Sequence, residues 1–328
     1  MQKKFKIFFN YLLVPILLVW LCSNLYHQII NQTDKADAWQ KIKGAFSGTV
    51  SWKIVVVLLL MFVNWAIEAL KWKYLMAPLQ QISFGTAYKA VFAGTSFAAN
   101  TPNRVGEYFG RMIYIEEGKR MASIPLTVTG SFSQLLITLI TGLVGLVYYI
   151  GIIGDAANAT ISTFWVKILV AGTAFVTLIC LLIYFKISWL LHALIKIPYL
   201  QKFSFFIQKV EKLTTALLLK TLLLSLLRYT VFTLQYILVI QAFGISIATA
   251  SCVCLLSILY LVMSIVPSFV IIEAGIRGKV STVLFAVVTT NLTGIIASGL
   301  FIWLINLMLP AIIGVLLLLG KRVFKKVG

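Results

Sequence analysis

The sequence predicts an all-α, polytopic membrane fold: about six spanning helices and two re-entrant helical hairpins, arranged as an inverted-topology repeat. Three observations carry this. Hydrophobic residues make up 61% of the 328-residue chain and charged residues only 11%, with a mean hydropathy of +1.00, whereas soluble domains are about a quarter charged. Apolar runs of about twenty residues, the length that crosses a hydrocarbon core, recur along the whole chain. Two further apolar regions are each interrupted in the middle by proline, glycine and charge. The longest stretch without a spanning-length run, 186–213, is too short to fold alone, so residues 1–328 read as one membrane-embedded domain.

The first run, 7–26, has a basic flank like a signal peptide, but it is long enough to span and lacks a small-residue cleavage pattern. It reads as a retained helix in which Pro15 is tolerated. A second span follows at 51–70. Region 84–115 then breaks at Pro102 and Gly106, between "FGTAYKAVFAGTSFAAN" and "EYFGRMIYI". Its flanks, "KWKYLMAPLQQ" and "EEGKR", are both basic, so a single crossing would place them on opposite faces and a re-entrant hairpin keeps them on one. Three clean spans come next, 123–153, 164–185 and 214–240, with an amphipathic linker at 186–213 that suits the inner leaflet. Region 250–291 repeats the hairpin layout, breaking at Pro267 and Gly275, and 294–320 closes the chain. Because an odd number of spans separates the hairpins, they enter from opposite faces; the first repeat covers about 51–185 and the second about 214–320.

The formal charge of +19 does not call for nucleic acid. Its basic clusters, Lys3 to Lys6, Lys71 and Lys73, Lys186 to Lys212 and Lys321 to Lys326, fall on one side of the expected spans. The positive-inside rule makes that side cytoplasmic, with both termini there and the chain in the cytoplasmic (inner) membrane. The four cysteines lie in or beside apolar segments, and the two histidines are far apart, so neither a metal site nor a cofactor is expected.

The candidate site comes from charge inside the hairpins. Arg104, Glu107 and Arg111 fall within eight positions of one another at the first break, and Glu273 and Arg277 follow the second. Ionisable groups at that depth must be paired or face a wet cavity. An arginine there either grips a phosphate through two parallel hydrogen bonds or is neutralised by a neighbour, Glu107 for Arg104 and Arg111, Glu273 for Arg277. Arg228, inside the 214–240 span, joins the set. Glu68 reads as a charge at a helix end, and Gln134 and Gln235 as interhelical hydrogen-bonding groups.

Pro102, Gly106, Glu107 and Arg111 resemble the proline-glycine-acid-arginine signature of the lysylphosphatidylglycerol synthase transmembrane region family. In that signature the arginine follows the acid by three residues; here Gly110 holds the third position and Arg111 the fourth, on the same helix face. The second hairpin resembles the pattern more loosely, with "IIEAGIR" placing the acid before the arginine. The resemblance implies a flippase-like protein that moves a phospho- or glycolipid with a phosphate-bearing headgroup between leaflets, and is not itself an enzyme. It also implies that a separate enzyme makes any modified lipid, since no stretch reads as a soluble synthase domain. The rival readings are a membrane-embedded lipid-modifying enzyme, using paired carboxylates for acid and base work, and a non-catalytic partner of such an enzyme.

Overall fold

A computed structural model describes residues 40, 42–46, 48–99, 101, 104–153, 163–186, 213–266 and 270–319. The expected first span 7–26, nearly all of the linker 186–213, and the hairpin prolines Pro102 and Pro267 lie outside these residues. The described elements are helical throughout: α1 Ser51–Met76, α2 Phe84–Ala99, α3 Gly106–Met112, α4 Arg120–Ile153, α5 Thr163–Phe185, α6 Thr215–Ala242, α7 Thr249–Ile265, α8 Val270–Phe285, α9 Leu292–Trp303 and α10 Leu309–Leu319. A π-turn at Leu304–Met308 joins the last two. Five helical stretches are long and apolar enough to cross a bilayer, namely α1, α4, α5, α6 and the continuous 292–318. They coincide with the expected spans, as they must if the hydrocarbon thickness sets their length.

Both expected hairpins are present. Each closes at its base: the Glu116 backbone N–H donates to Gln80 Oε1 at 3.1 Å, tying the exit of the first hairpin to its entrance. In the second, the entrance residue Ile245 packs so closely on Gly294 that an added Cβ would lie 2.7 Å from its Cδ1. Thus each hairpin enters and leaves at the same end of the bundle. The repeat is also legible in register. Met76 and Ala242 end equivalent spans, Ala99 and Ile265 end equivalent descending limbs, and the Glu107–Arg111 and Glu273–Arg277 pairs follow, all at a constant offset of 166 residues (242 against 76, 265 against 99, 273 against 107, 277 against 111).

The two halves interlock. α1 lies along α6, while α2 is seated on α10 and α7 on α4, so each hairpin rests against the span that follows the hairpin of the other repeat. Lipid supplies no hydrophobic drive between helices, and small residues that allow backbones to approach take its place. Gly314 lies against the Phe92 carbonyl at the α2–α10 seat, and Gly145 would place a Cβ 2.7 Å from the Cys254 carbonyl oxygen at the α4–α7 seat. Within the first hairpin, a Cβ on Gly110 would stand 2.5 Å from the Ala93 carbonyl oxygen. α5 packs chiefly on α4 and leaves Phe164, Leu169, Phe175 and Leu182 on its open face, as a lipid-facing helix should.

Three expectations change. α1 runs on to Met76, so Lys71 is a buried helical residue and not part of a cytoplasmic basic cluster. Lys71 is buried there together with Trp72, Leu75 and Met76 and pairs with the Glu68 carboxylate. Gly275 lies inside α8, buried, and does not form the second break, which falls between Val266 and Val270. The last span is not a plain helix: Pro310 lacks the N–H that would bond to the Asn306 carbonyl, and its ring would clash there, so the turn before it widens into the π form.

Candidate functional site

Two carboxylates organise the buried charge. Glu68, on α1 and 4% exposed, is surrounded by three cations. Lys71 Nζ lies 2.8 Å from Oε2 and Arg228 Nη1 3.0 Å from the same oxygen, while Arg111 Nη2 lies 3.0 Å from Oε1. Arg111 also pairs with Glu107, one helical turn earlier on α3. The Arg228 guanidinium sits over the Trp65 ring, 5.0 Å from its centroid, which adds a cation–π contact to the ion pair. Glu68 is therefore no helix-end charge; it is the anion on which α1, α3 and α6 converge.

Glu273 is the second centre. Its Oε1 accepts from Arg277 Nη2 at 2.7 Å, one turn along α8, and its Oε2 accepts from Arg104 Nη2 at 2.9 Å. The second bond joins the tips of the two hairpins across 169 positions of sequence. Arg104 has a backbone φ of 57°, alone among non-glycine described residues in the left-handed region. An L side chain costs about 1–2 kcal/mol there, and the bond to Glu273 helps to hold it. The Arg104 side chain stays 37% exposed, open to the space between the hairpins.

That space is a cavity of about 560 Å³. Its walls come from the centres of the spans: Asn64 and Trp65 on α1, Gln134 on α4, Arg228 on α6, and Asn306 in the π-turn. The hairpin tips contribute Arg104 from the first and Tyr260, Glu273 and Arg277 from the second. Three arginines thus face it with one carboxylate. Counting the Glu68 cluster behind the wall, five cations (Lys71, Arg104, Arg111, Arg228, Arg277), of which Lys71, Arg111 and Arg277 are buried, stand against three carboxylates (Glu68, Glu107, Glu273). The guanidinium nitrogens Arg228 Nε and Arg277 Nε are buried without a hydrogen-bond partner.

Of the six charged residues that the sequence singles out, Arg104, Arg228, Glu273 and Arg277 line the cavity, while Glu107 and Arg111 belong to the cluster behind it. Arg104 is paired across the hairpins with Glu273, and Glu107 with Arg111. Gly106 opens α3 directly after the first break and lies against the Phe97 carbonyl, where no side chain fits. Gln235 does make an interhelical bond, from Nε2 to the Val57 carbonyl at 2.9 Å, whereas Gln134 is among the residues that line the cavity. Asn64, Trp65, Lys71 and Asn306 were not legible as site residues. Only the position of Asn64 and Asn306 inside apolar runs carries a hint. Among the described residues no group of three His, Cys, Asp or Glu is placed to hold a metal ion.

These features define a polytopic membrane protein with a cation-rich, open cavity lined by its spans and by the tips of two helical hairpins. The family model of the Lysylphosphatidylglycerol synthase TM region matches residues 7–314, and the chain belongs to that family. No curated protein matches the chain.

Proposed function

We propose that the protein moves a lipid with a phosphate-bearing headgroup between the leaflets of the cytoplasmic membrane, with both termini cytoplasmic. The headgroup passes through the cavity while the acyl chains stay in the bilayer. The observation that carries this reading is the charge imbalance: the arginines share too few carboxylates, and excess positive charge inside a membrane domain is costly unless an anion or water meets it. A phosphate satisfies a guanidinium through two parallel hydrogen bonds, and arginine stays charged whatever its surroundings. Glu273, held by two guanidinium groups, is suited to aiming arginines and not to transferring protons, which supports a carrier over a lipid-modifying enzyme. A modified lipid, if that is the cargo, would come from a separate enzyme.

The test is a leaflet-transfer assay in proteoliposomes with a fluorescent anionic phospholipid. Arg277→Gln, which removes the charge but keeps a polar side chain and leaves Glu273 paired to Arg104, should slow transfer at least about tenfold while the protein still elutes as a folded species. Transfer at the wild-type rate would remove the cavity from the transport path.

A further inference from the structure

Lys71 lies behind the cavity wall, and the transport reading gives it no part. It is 2% exposed and surrounded by charge: Glu68 on its own helix, Arg111 from α3 and Arg228 from α6. α4 meets it with Gly130, where an added Cβ would stand 3.7 Å from Lys71 Cε. While Lys71 is an ammonium, the charges of this cluster do not balance, since Lys71, Arg111 and Arg228 stand against Glu68 and Glu107. Protonating a carboxylate would enlarge the excess, and an arginine keeps its proton in proteins, whereas a buried lysine can give its proton up. Lys71 is therefore the member whose change of charge restores balance, leaving two guanidinium groups on two carboxylates.

Glu68 links that change to the cavity. Its Oε2 is shared by Lys71 Nζ at 2.8 Å and Arg228 Nη1 at 3.0 Å, and Arg228 lines the cavity. An anion that binds Arg228 draws on the guanidinium that Glu68 uses, and Glu68 is then left to pair with Lys71 as an ammonium. On its other side Lys71 Nζ donates to Ser225 Oγ at 3.4 Å, and Ser225 Oγ lies 2.8 Å from Ser133 Oγ. The Tyr184 hydroxyl, within reach of Ser133 and Thr221, carries this line of hydroxyls on and donates to the Leu218 carbonyl at 3.0 Å, in the first turn of α6, which starts at exposed Thr215.

Resting on the anion reading above, we infer that Lys71 takes up a proton as an anion enters the cavity and returns it as the anion leaves, so that the site holds a phosphate-bearing monoanion and a proton together. The amine nitrogen of Lys71 accepts the proton from water at the α6 end by way of the hydroxyls. Each hydroxyl oxygen accepts one proton and passes its own on, so nothing else is gained or lost. By linkage, what binds with a proton binds more tightly where protons are more abundant.

Calorimetric titration of the full chain in detergent with dihexadecyl phosphate, a phosphodiester that stays a monoanion, tests this. Repeating it in two buffers of different ionisation enthalpy counts the protons taken up per anion bound. At the pH of greatest uptake the count should reach on the order of half a proton or more, and affinity should weaken as pH rises, by up to about tenfold per pH unit. Lys71→Met, which leaves the cluster balanced, and Lys71→Arg, which fixes its charge, should each bind the anion with uptake reduced at least about fivefold and a flatter pH dependence. Binding without proton uptake by the wild-type chain would overturn the inference and leave the transport reading standing, and that count needs no variant to fold. Uptake that survives in either variant would also overturn it, by assigning the proton to another group. Dimethyl phosphate bound as tightly, and with the same uptake, would keep the proton and replace the lipid by a water-soluble ester. Uptake on binding without leaflet transfer would support the inference and remove the transport reading, while no binding of either phosphodiester would remove both.

Discussion

Glu68 shows how one carboxylate can hold a membrane domain together. Three cations from two neighbouring helices and its own depend on it, and removing one member of a buried ion group strands the others, typically at about 3–5 kcal/mol. Glu68→Gln is therefore expected to lower the thermal unfolding midpoint in detergent more than Glu107→Gln, whose carboxylate meets a single arginine. Adding Lys71→Met to Glu68→Gln should recover part of the loss, because the Lys71 charge is then gone as well. Equal effects of the two glutamate variants would deny Glu68 its central position. The sequence disclosed the local pairs and hid the rest, for a reason of distance. Glu107–Arg111 and Glu273–Arg277 stand one helical turn apart and are visible as spacing, whereas Arg228–Glu68 and Arg104–Glu273 join positions 160 and 169 apart, which only the fold brings together. Lys71 was hidden by its company: beside Lys73 at the end of an apolar run, it has the sequence appearance of an interfacial charge.

Among elements, the spans were readable because bilayer thickness dictates their length, and the hairpins because charge and helix-breaking residues cannot lie in lipid-exposed helix. What could not be read is how closely the limbs approach. Gly110 is one of the close points between α2 and α3, where a side chain would collide with the Ala93 carbonyl and the Gly94 Cα, both backbone atoms that cannot swing aside. Gly110→Val should destabilise by about 1–3 kcal/mol, the usual range for overpacking, while Gly151→Val, where a Cβ meets nothing within 4 Å, should leave the unfolding midpoint unchanged. The π-turn was likewise out of reach, since Pro310 in an apolar run signals a disturbed helix but does not say that the widened turn will carry Asn306 to the cavity wall.

Taken whole, the molecule is two interlocked halves whose hairpin bases face opposite ways, because three spans, α4, α5 and α6, run between them. Single cysteines at residues 75–80 and 117–120 should then react with a membrane-impermeant thiol reagent from one face, and cysteines at 244–248 and 291–293 from the other, in a background cleared of native cysteine. Labelling of both sets from the same side would break the inverted repeat, and opposite labelling within a set would turn that hairpin into a plain span. The charge pairs make this arrangement more than topological: equivalent Glu–Arg pairs sit at the same register in both halves, so each hairpin carries its own buried ion pair.

The seating of α2 on α10 has a consequence for biogenesis. The ribosome delivers Arg104, Glu107 and Arg111 to the membrane long before α6, α8 and α10 exist, and an ionised group at the centre of the hydrocarbon costs about 2.5–3.5 kcal/mol on insertion scales. Glu107 and Arg111 can neutralise each other at once, within their own turn of helix. Arg104 has to wait for Glu273, and the first hairpin has to wait for the final helix to cover it. Insertion in strict order from the amino terminus would leave Arg104 without its carboxylate and α2 without its cover, so the first hairpin is expected to settle only once α8 and α10 have entered.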